Sequence, residues 1–274
     1  MDALAAIERW PVGAAAAAVV GPEGVLDLHG PTDAVVEIAS VTKLLVAHAM
    51  LIALEEGSVF LVDEAGPPGA TVRHLLSHAS GLPFEGSHPI AAPGTRRIYS
   101  NEAFEVLGEL LASRTEMPVA QYLVEAALGP LGMGVTELRG SPAKDAWSSI
   151  DDLVRFTVEL IRPRLVTVET LRVATTVSFP GLAGVLPGIG KMDPNDWGLG
   201  FELRSQKSPH WTGARNSSRT FGHFGGSGTF LWVDPTVTLG LVCLTDREFG
   251  PWALEAWPAL SDAVLDQWAD RPLG

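Results

Sequence analysis

The sequence predicts an α+β fold, in which an antiparallel sheet is flanked by N- and C-terminal helices and carries an inserted helical subdomain. Apolar residues alternate with a period of two early in the chain and again from about Trp197, as is typical of strands. The segment between them has helical periodicity, and a final helical pattern closes the chain. Because strands occur at both ends, we expect one sheet built from both ends of the chain.

The first predicted elements are a hairpin and a buried helix. Alternating residues over 17–29, with glycine and proline at 21–24, predict two antiparallel strands joined by a turn. Segment 43–55 is apolar on nearly every side, and Gly57 follows it. This pattern predicts a helix that is buried all round and ends at the glycine.

The remaining elements follow the same two periods. Proline at the start of one segment and a capping-box pattern before another support helices in the middle of the chain. The period then shortens to two before the last helix. The predicted helices are 72–78, 101–114, 118–128, 150–160 and 258–268, and the predicted later strands are 197–203, 227–233 and 237–244.

Composition excludes several classes of partner. A formal net charge of -13 disfavours nucleic acid and anionic membrane surfaces, because both would repel the chain. The start lacks the basic residues of an export signal, and the longest apolar run, 13–21, is shorter than the roughly 20 residues that span a bilayer. We therefore expect a cytoplasmic protein whose partner is a small molecule. The single cysteine, Cys243, excludes an internal disulfide and is interpreted as a core thiol.

Two Ser-x-x-Lys patterns occur, and their context separates them. Ser141 and Lys144 lie in a turn, whereas Ser40 and Lys43 stand at the first turn of the most apolar helix. Residues three apart on a helix share one face, so the Lys43 amine can reach the Ser40 hydroxyl. Burial would lower the lysine pKa from about 10.4 and make the amine a base. The pair is a candidate nucleophile and base, and the alternative is a helix cap beside a surface charge.

Two further segments place functional side chains near a cleft. Tyr99 and Asn101 stand at a helix start, where a phenol and a carboxamide can both face a ligand. His223 opens a glycine-rich run with Gly225 and Gly226, where backbone can approach a ligand closely. Taken alone, the first segment is more often a capped helix and the second a glycine-rich turn.

Together these segments resemble the motifs of the serine β-lactamase, penicillin-binding protein and esterase family, nearest its class C-like and D-alanyl-D-alanine carboxypeptidase-like branch. Ser40-x-x-Lys43, Tyr99-x-Asn101 and His223-x-Gly225 follow in the family's order. Segments 75–83, 130–133 and 197–201 are also similar to family signatures. The resemblance implies one β-lactamase-like catalytic unit over 1–274, with an α/β part of about 1–60 and 175–274 and a helical part of about 61–174.

The resemblance also implies a role for each matching residue. Ser40 would be the acylated nucleophile, with Lys43 and Tyr99 as the proton-transfer pair. Asn101 would donate to the substrate's acyl side chain, and His223 would contact the substrate or Tyr99. The backbone N–H groups of Ser40 and of Gly226, directly after the third motif, would form the oxyanion hole. No cofactor and no metal is implied.

One departure from the family pattern bears on the substrate. Many members have lysine in the third motif, where this chain has His223, and a histidine with a pKa of about 6.5 is largely neutral at pH 7. This removes a fixed cation that would pair with a penicillin-type carboxylate. We therefore expect a serine hydrolase that acts on a small ester or amide. Acyl transfer, true β-lactamase or D-Ala-D-Ala peptidase activity, and a non-catalytic ligand-binding role are the alternatives.

Other functional classes are less well supported by the residues. The nearest match to a Gly-x-Ser-x-Gly elbow, 225–229, fails at its last position. His74 and His78 have metal-ligand spacing but lack the accompanying glutamate and a third ligand, so we interpret them as structural. Three tryptophans near the third motif are candidate walls of an apolar pocket or parts of the core: Trp197, Trp211 and Trp232. Substrate identity and oligomeric state stay open.

Overall fold

The computed structural model describes residues 2–269, within which we number strands and helices in chain order. The strands are β1 (Ala15–Gly21), β2 (Gly24–His29), β3 (Val36–Glu37), β4 (Glu137–Leu138), β5 (Ala146–Ser148), β6 (Gly184–Leu186), β7 (Gly190–Met192), β8 (Glu202–Leu203), β9 (Phe221–Gly225), β10 (Thr229–Asp234) and β11 (Leu239–Thr245). The α-helices are α1 (Thr42–Glu55), α2 (Val72–Leu76), α3 (Glu102–Thr115), α4 (Val119–Leu123), α5 (Gly129–Leu131), α6 (Ile150–Ile161), α7 (Val168–Ala174) and α8 (Pro251–Trp268). Short 3-10 helices span Leu4–Arg9 and Ala39–Val41, and a π-helical turn spans Val124–Leu128.

The main sheet joins the two ends of the chain. Its six strands run in the order β2-β1-β11-β10-β9-β8, and every neighbouring pair is antiparallel. Strand β1 lies against β11, where Ala18 faces Val242. The predicted α+β class is confirmed, because helices pack on both faces of one antiparallel sheet built from both ends of the chain.

Period-two alternation in β1 divides the molecule into two cores, one on each face of the sheet. Ala16, Ala18 and Val20 pack into a core with buried residues of α1, α3 and α6. Ala17 and Val19 point to the opposite face, where they pack with α8 and the first 3-10 helix. A strand buried on both faces loses its polar alternation, which is why β1 consists of small and branched apolar residues.

Helix α1 is as buried as its composition predicts. Residues 42–53 are all buried, so twelve of its 14 positions are excluded from solvent. Gly57 adopts a φ of 76°, in the left-handed region that glycine enters most easily, just after the helix ends. The helix therefore forms a rigid, central support for the residues at its N-terminus.

Helix α8 begins earlier than predicted. It starts at Pro251 rather than at Pro258, which lies inside the helix. At the first helical position the missing N–H of proline costs no hydrogen bond, because N–H groups there have no partner within the helix. Pro258 has no N–H to donate to the Leu254 carbonyl four residues earlier. Leu254 lies on the exposed face of the helix. Trp257 and Val264 are buried on the sheet, and this packing holds the helix together across the proline.

The region predicted as strand 197–203 is mostly a turn, so that prediction was wrong. Gly200 has a φ of 85°, and the Gly198 N–H donates to the Phe201 carbonyl, which closes the chain into a turn before the short β8. Conversely, the glycine-rich run that opens at His223 is a turn only over 226–228, because His223 and Gly225 lie on β9. Apolar alternation cannot distinguish an extended loop from a paired strand.

The helical region agrees with prediction in the positions of its main helices and differs in detail. Helix α2 ends before His78, whose φ of 55° stops it, and segment 118–128 continues through the π-helical turn into α5. Helix α7, the small sheet β3-β5-β4 and the hairpin β6-β7 were not predicted. The domain boundaries near residues 60 and 175 stay a prediction. Within residues 2–269, no helix combines the length and apolar character needed to cross a membrane.

Candidate active site

Ser40 lies on a tight turn that leads directly into α1. The preceding Ala39 has a φ of 42°, a left-handed conformation that is unfavourable for a residue with a Cβ. The Val41 N–H donates to the Ile38 carbonyl at 3.0 Å and closes the turn. The N-cap position of α1 is occupied by Val41, and Ser40 Oγ bonds with Lys43 Nζ, so the alternative of a simple helix cap does not describe Ser40.

Lys43 is fully buried with its amine directed at Ser40. Its Nζ lies 3.3 Å from Ser40 Oγ, and it donates to Asn101 Oδ1 at 2.7 Å and to the Ala143 carbonyl at 2.8 Å. Burial holds the pKa of Lys43 well below its ordinary value, although the charge of Glu105 opposes this shift. A neutral amine beside a serine hydroxyl can accept its proton. Lys43 is therefore not the surface charge of the alternative interpretation.

The second Ser-x-x-Lys segment contributes backbone to the site. Ser141 Oγ donates to Glu105 and accepts the Ala143 N–H at 3.0 Å, which shapes the loop that presents the Ala143 carbonyl to Lys43. Ser141 is thus a loop residue rather than a nucleophile facing this cleft. Because the contribution is a backbone carbonyl, no side-chain pattern in the sequence marks it.

The segment around Tyr99 divides structural and functional tasks between adjacent residues. Ser100 Oγ accepts the Ala103 N–H at 3.0 Å and so caps the first turn of α3. Asn101 is released from capping, and its Oδ1 accepts from Lys43 instead. Donation by Asn101 to a substrate stays a prediction.

Tyr99 and His223 meet across the cleft. The phenol oxygen of Tyr99 lies 3.3 Å from His223 Nε2, and His223 Nδ1 lies 2.6 Å from the Phe224 carbonyl. A carbonyl can only accept, so Nδ1 carries the proton and Nε2 accepts from the Tyr99 hydroxyl. Burial raises the pKa of Tyr99, while its hydrogen bond with the Ser40 side chain opposes that change. Tyr99 is therefore a protonated donor in the resting site.

The imidazole of His223 is neutral in this environment. Burial, together with the nearby charge of Lys43, lowers the pKa of His223 from 6.5 to about 3. The third motif consequently supplies no fixed positive charge to the cleft. This agrees with the expectation that the histidine does not replace a cationic lysine.

The depressed pKa of His223 has a measurable effect on stability. Between pH of about 6.5 and about 3 the unfolded chain binds a proton that the folded chain excludes, so stability falls as pH falls, by up to about 1.4 kcal/mol per pH unit. We expect His223→Gln to flatten this dependence, measured by urea unfolding across that range. His78, whose pKa burial also lowers, is present in both proteins, so the change in slope between them reports the replacement of His223. Parallel profiles for the two proteins would contradict the assignment.

Strand β9 brings the third motif directly against the nucleophile turn. A Cβ added to Gly225 would lie 2.4 Å from the Ile38 carbonyl, so only glycine permits this approach. Gly226 follows at the exposed end of the strand, and its carbonyl accepts the Phe249 N–H at 2.9 Å. The oxyanion hole formed by the N–H groups of Ser40 and Gly226 stays a prediction.

A pocket of about 180 Å³ opens beside Ser40. Most of its wall is apolar, and it is lined by Ser40, Phe84, Tyr99, Leu186, Pro187, Gly188, Trp197, Glu202, His223, Phe224, Gly226 and Phe249. Of the three candidate tryptophans, Trp197 lines the pocket, whereas Trp211 and Trp232 lie in the core beneath the sheet. Trp197 also touches the rings of Tyr99 and His223.

One charged residue, Glu202, reaches the pocket wall but is held by buried donors. Lys207 pairs with it, and His210 Nε2 and Trp211 Nε1 each lie 3.0 Å from Oε2. Burial alone would raise the pKa of Glu202, but His210 and Lys207 outweigh burial and hold it well below its ordinary value. Its charge is thus balanced within the protein by partners on the single segment between β8 and β9, five to nine residues further along the chain. Sequence patterns did not identify this cluster.

The chain that carries Ser40, Lys43, Tyr99 and His223 matches a known protein family. The family model for Beta-lactamase matches residues 5–265, which is nearly the whole chain. The chain belongs to the β-lactamase family. Members of this family are serine hydrolases, and the resemblance to serine β-lactamases and penicillin-binding proteins inferred from the motifs is confirmed.

Individual relatives agree with the family assignment. A β-lactamase from Mycobacterium bovis is 56% identical, with a TM-score of 0.96, over 97% of this chain and 99% of that one. The D-alanyl-D-alanine-carboxypeptidase/endopeptidase AmpH of Escherichia coli K12 is 33% identical over 40% of this chain, a match that spans only 38% of AmpH. EstCE1, a hydrolase with promiscuous acyltransferase activity, has the same fold, with 16% identity and a TM-score of 0.79 over 96% of both chains.

In this β-lactamase family member, the two histidines with metal-ligand spacing and the single cysteine occupy positions where they support the fold. His74 Nδ1 lies 2.9 Å from Thr71 Oγ1 in a capping box, and His78 Nδ1 accepts the Ser100 N–H at 3.1 Å. Cys243 is buried on β11, and burial raises its thiol pKa, as expected for a core thiol. Within residues 2–269 no group of three or more His, Cys, Asp or Glu side chains is placed to hold a metal ion.

Proposed function

We propose that this β-lactamase family member is a serine hydrolase that forms an acyl-enzyme on Ser40 and acts on a small ester or amide. The observation that carries the proposal is the buried amine of Lys43, whose Nζ lies 3.3 Å from Ser40 Oγ. Since burial depresses the pKa of this amine, it can act as a base at neutral pH. A nucleophile paired with a buried base is what acyl transfer to serine requires.

In the proposed reaction, Ser40, Lys43 and Tyr99 carry the proton transfers. As Ser40 Oγ attacks the substrate carbonyl, Lys43 accepts the hydroxyl proton. The N–H groups of Ser40 and Gly226 stabilise the oxyanion. Tyr99, hydrogen-bonded to the Ser40 side chain, passes a proton to the leaving group and is reprotonated from Lys43. Water then attacks the acyl-enzyme and releases the acid.

The charges of the cleft favour uncharged substrates. The lining of the pocket within residues 2–269 contains no lysine or arginine, and His223 is neutral at pH 7 because its pKa is about 3. A substrate carboxylate would leave water without gaining a fixed cation, at a cost of free energy. Hydrolysis of uncharged esters or amides is therefore favoured over breakdown of penicillin-type substrates. Cytoplasmic location and the lack of nucleic-acid or membrane partners stay predictions.

An ester and amide panel tests the proposed function. We expect turnover of uncharged short-chain nitrophenyl esters and much slower turnover of nitrocefin, because nitrocefin carries a carboxylate. A fluorophosphonate should add once, and intact mass followed by peptide mapping should place it on Ser40. Addition of alcohols or amines to the same assay measures acyl transfer, the alternative fate of the acyl-enzyme. Absence of any Ser40 adduct and of any ester turnover would favour a non-catalytic ligand-binding protein.

A further inference from the structure

The end of the pocket beside Ser40 is closed by a hairpin and one aromatic ring. Gly188 lies in the turn between β6 and β7 with a φ of 70°. A Cβ placed on it would come within 2.5 Å of Phe249 Cε1, so the backbone of the hairpin rests against the ring edge. Leu186 and Pro187 line the pocket on the same hairpin. These residues form a continuous apolar wall with Phe249.

Phe249 is fixed to the catalytic strand as well as to the hairpin. Its N–H donates to the Gly226 carbonyl at 2.9 Å, so its backbone is joined to the residue expected to supply an oxyanion donor. Its ring centroid lies 4.7 Å from that of Phe224 and 5.1 Å from that of Trp257. A ring held on three sides cannot turn aside easily when a ligand enters. The volume available near Ser40 is therefore set by this side chain.

The chemistry of the wall excludes a charged ligand group at this end. Phe224, Phe249 and the hairpin residues are apolar. The carboxylate of Glu202 is already paired with Lys207 and accepts from His210 and Trp211. A ligand group that enters here gains burial of apolar surface and little else.

We propose that this pocket takes an uncharged apolar group of the substrate, and that Phe249, packed under the tip of the β6-β7 hairpin, sets the largest group that fits. The proposal rests on the proposed acyl-enzyme chemistry of Ser40. Burial of each methylene improves kcat/KM by about fourfold until the group meets the ring. Beyond that length, an added methylene displaces packed side chains and the gain is lost.

Two ester series measured with three variants test this inference. One series lengthens the acyl chain of methyl esters, the other lengthens the alkyl alcohol of butyrate esters, and acid release is followed with a pH indicator. Phe249→Ala should move the optimum to longer groups by at least one methylene, and Phe249→Trp should move it to shorter ones. The series in which the optimum moves identifies the side of the ester that occupies the pocket. Phe60→Ala, which truncates an exposed phenylalanine outside the pocket, should leave both optima unchanged.

A binding measurement separates this inference from the proposed function. Calorimetric titration of n-alkanols of increasing length into Ser40→Ala and into Ser40→Ala/Phe249→Ala reports the pocket without catalysis. Circular dichroism melts confirm that each variant is folded. If the preferred length is the same with and without the Phe249 ring in folded proteins, the inference is overturned even though esters are hydrolysed. If the preferred length shifts but no ester is turned over, the pocket assignment stands and the proposed hydrolase function fails.

Discussion

Replacement of Ser40 by alanine is expected to lower kcat/KM for ester hydrolysis by about 10³-fold or more, because no other nucleophile lies beside the Lys43 amine in the described cleft. The same variant should show no covalent fluorophosphonate adduct by intact mass. Its folding should be little changed, since the N-cap of α1 is Val41 and the Ser40 hydroxyl bonds with Lys43 of the site rather than capping the helix. Full ester turnover by Ser40→Ala would remove Ser40 from the mechanism.

The second Ser-x-x-Lys segment offers a matched control. Ser141→Ala removes a serine of the same sequence pattern, but its hydroxyl bonds Glu105 and the Ala143 N–H within a loop. We expect this variant to retain most of the ester hydrolase activity and to form the same single fluorophosphonate adduct. If both serines were equally required, the distinction between the two motifs would be wrong.

Replacement of Lys43 is expected to have the second largest effect. Lys43→Met should reduce kcat/KM by about 10²- to 10⁴-fold, the usual contribution of a general base. Lys43→Arg keeps the positive charge but cannot lose a proton, so it should be as inactive as the methionine variant. The measurement is steady-state hydrolysis of one ester by both variants. An active arginine variant would show that charge at this position, rather than proton acceptance, supports the reaction.

Lys144→Met provides the corresponding control. The charge of Lys144 slightly assists burial in lowering the pKa of Lys43, but its side chain is not bonded to Ser40 or Lys43. We expect the variant to keep most of its activity. A loss as large as that of Lys43→Met would mean that the second lysine is the base.

The fold explains how a lysine with a depressed pKa is accommodated at the centre of the protein. Burial in α1 disfavours the charged amine, while the Asn101 side chain and the Ala143 carbonyl accept its N–H groups. These two acceptors come from the residue that precedes α3 and from the loop before β5. A buried amine with satisfied donors is compatible with a stable core, whereas one without acceptors would not be.

Much of the site could be predicted because its residues follow local rules. The spacing of Ser40 and Lys43 on a helix apolar all round fixed their common face and implied burial. Gly225 was expected to let backbone approach a ligand, which stays a prediction; the close approach that the structure shows is to the Ile38 carbonyl of the chain itself. His223 was expected to be neutral, and its surroundings depress its pKa further.

Other features could not be predicted because they depend on contacts between distant segments. Strand β9 is a strand only because β8 and β10 pair with it on both sides. Helix α8 continues through Pro258 only because its apolar face is covered by the sheet. The Ala143 carbonyl reaches Lys43 across 100 positions of sequence, and a carbonyl leaves no compositional trace.

By itself the sequence determined the α+β class, the buried helix α1 and the order of the three motifs, since apolar periodicity and residue spacing are local properties. Only the tertiary structure decided which groups meet. Asn101 and the Ala143 carbonyl accept hydrogen bonds from Lys43, Tyr99 lies against His223, and Phe249 lines the pocket. The physical reason is that pKa values, pocket shape and hydrogen-bond partners depend on burial and distance. These quantities arise when segments far apart in the chain pack together.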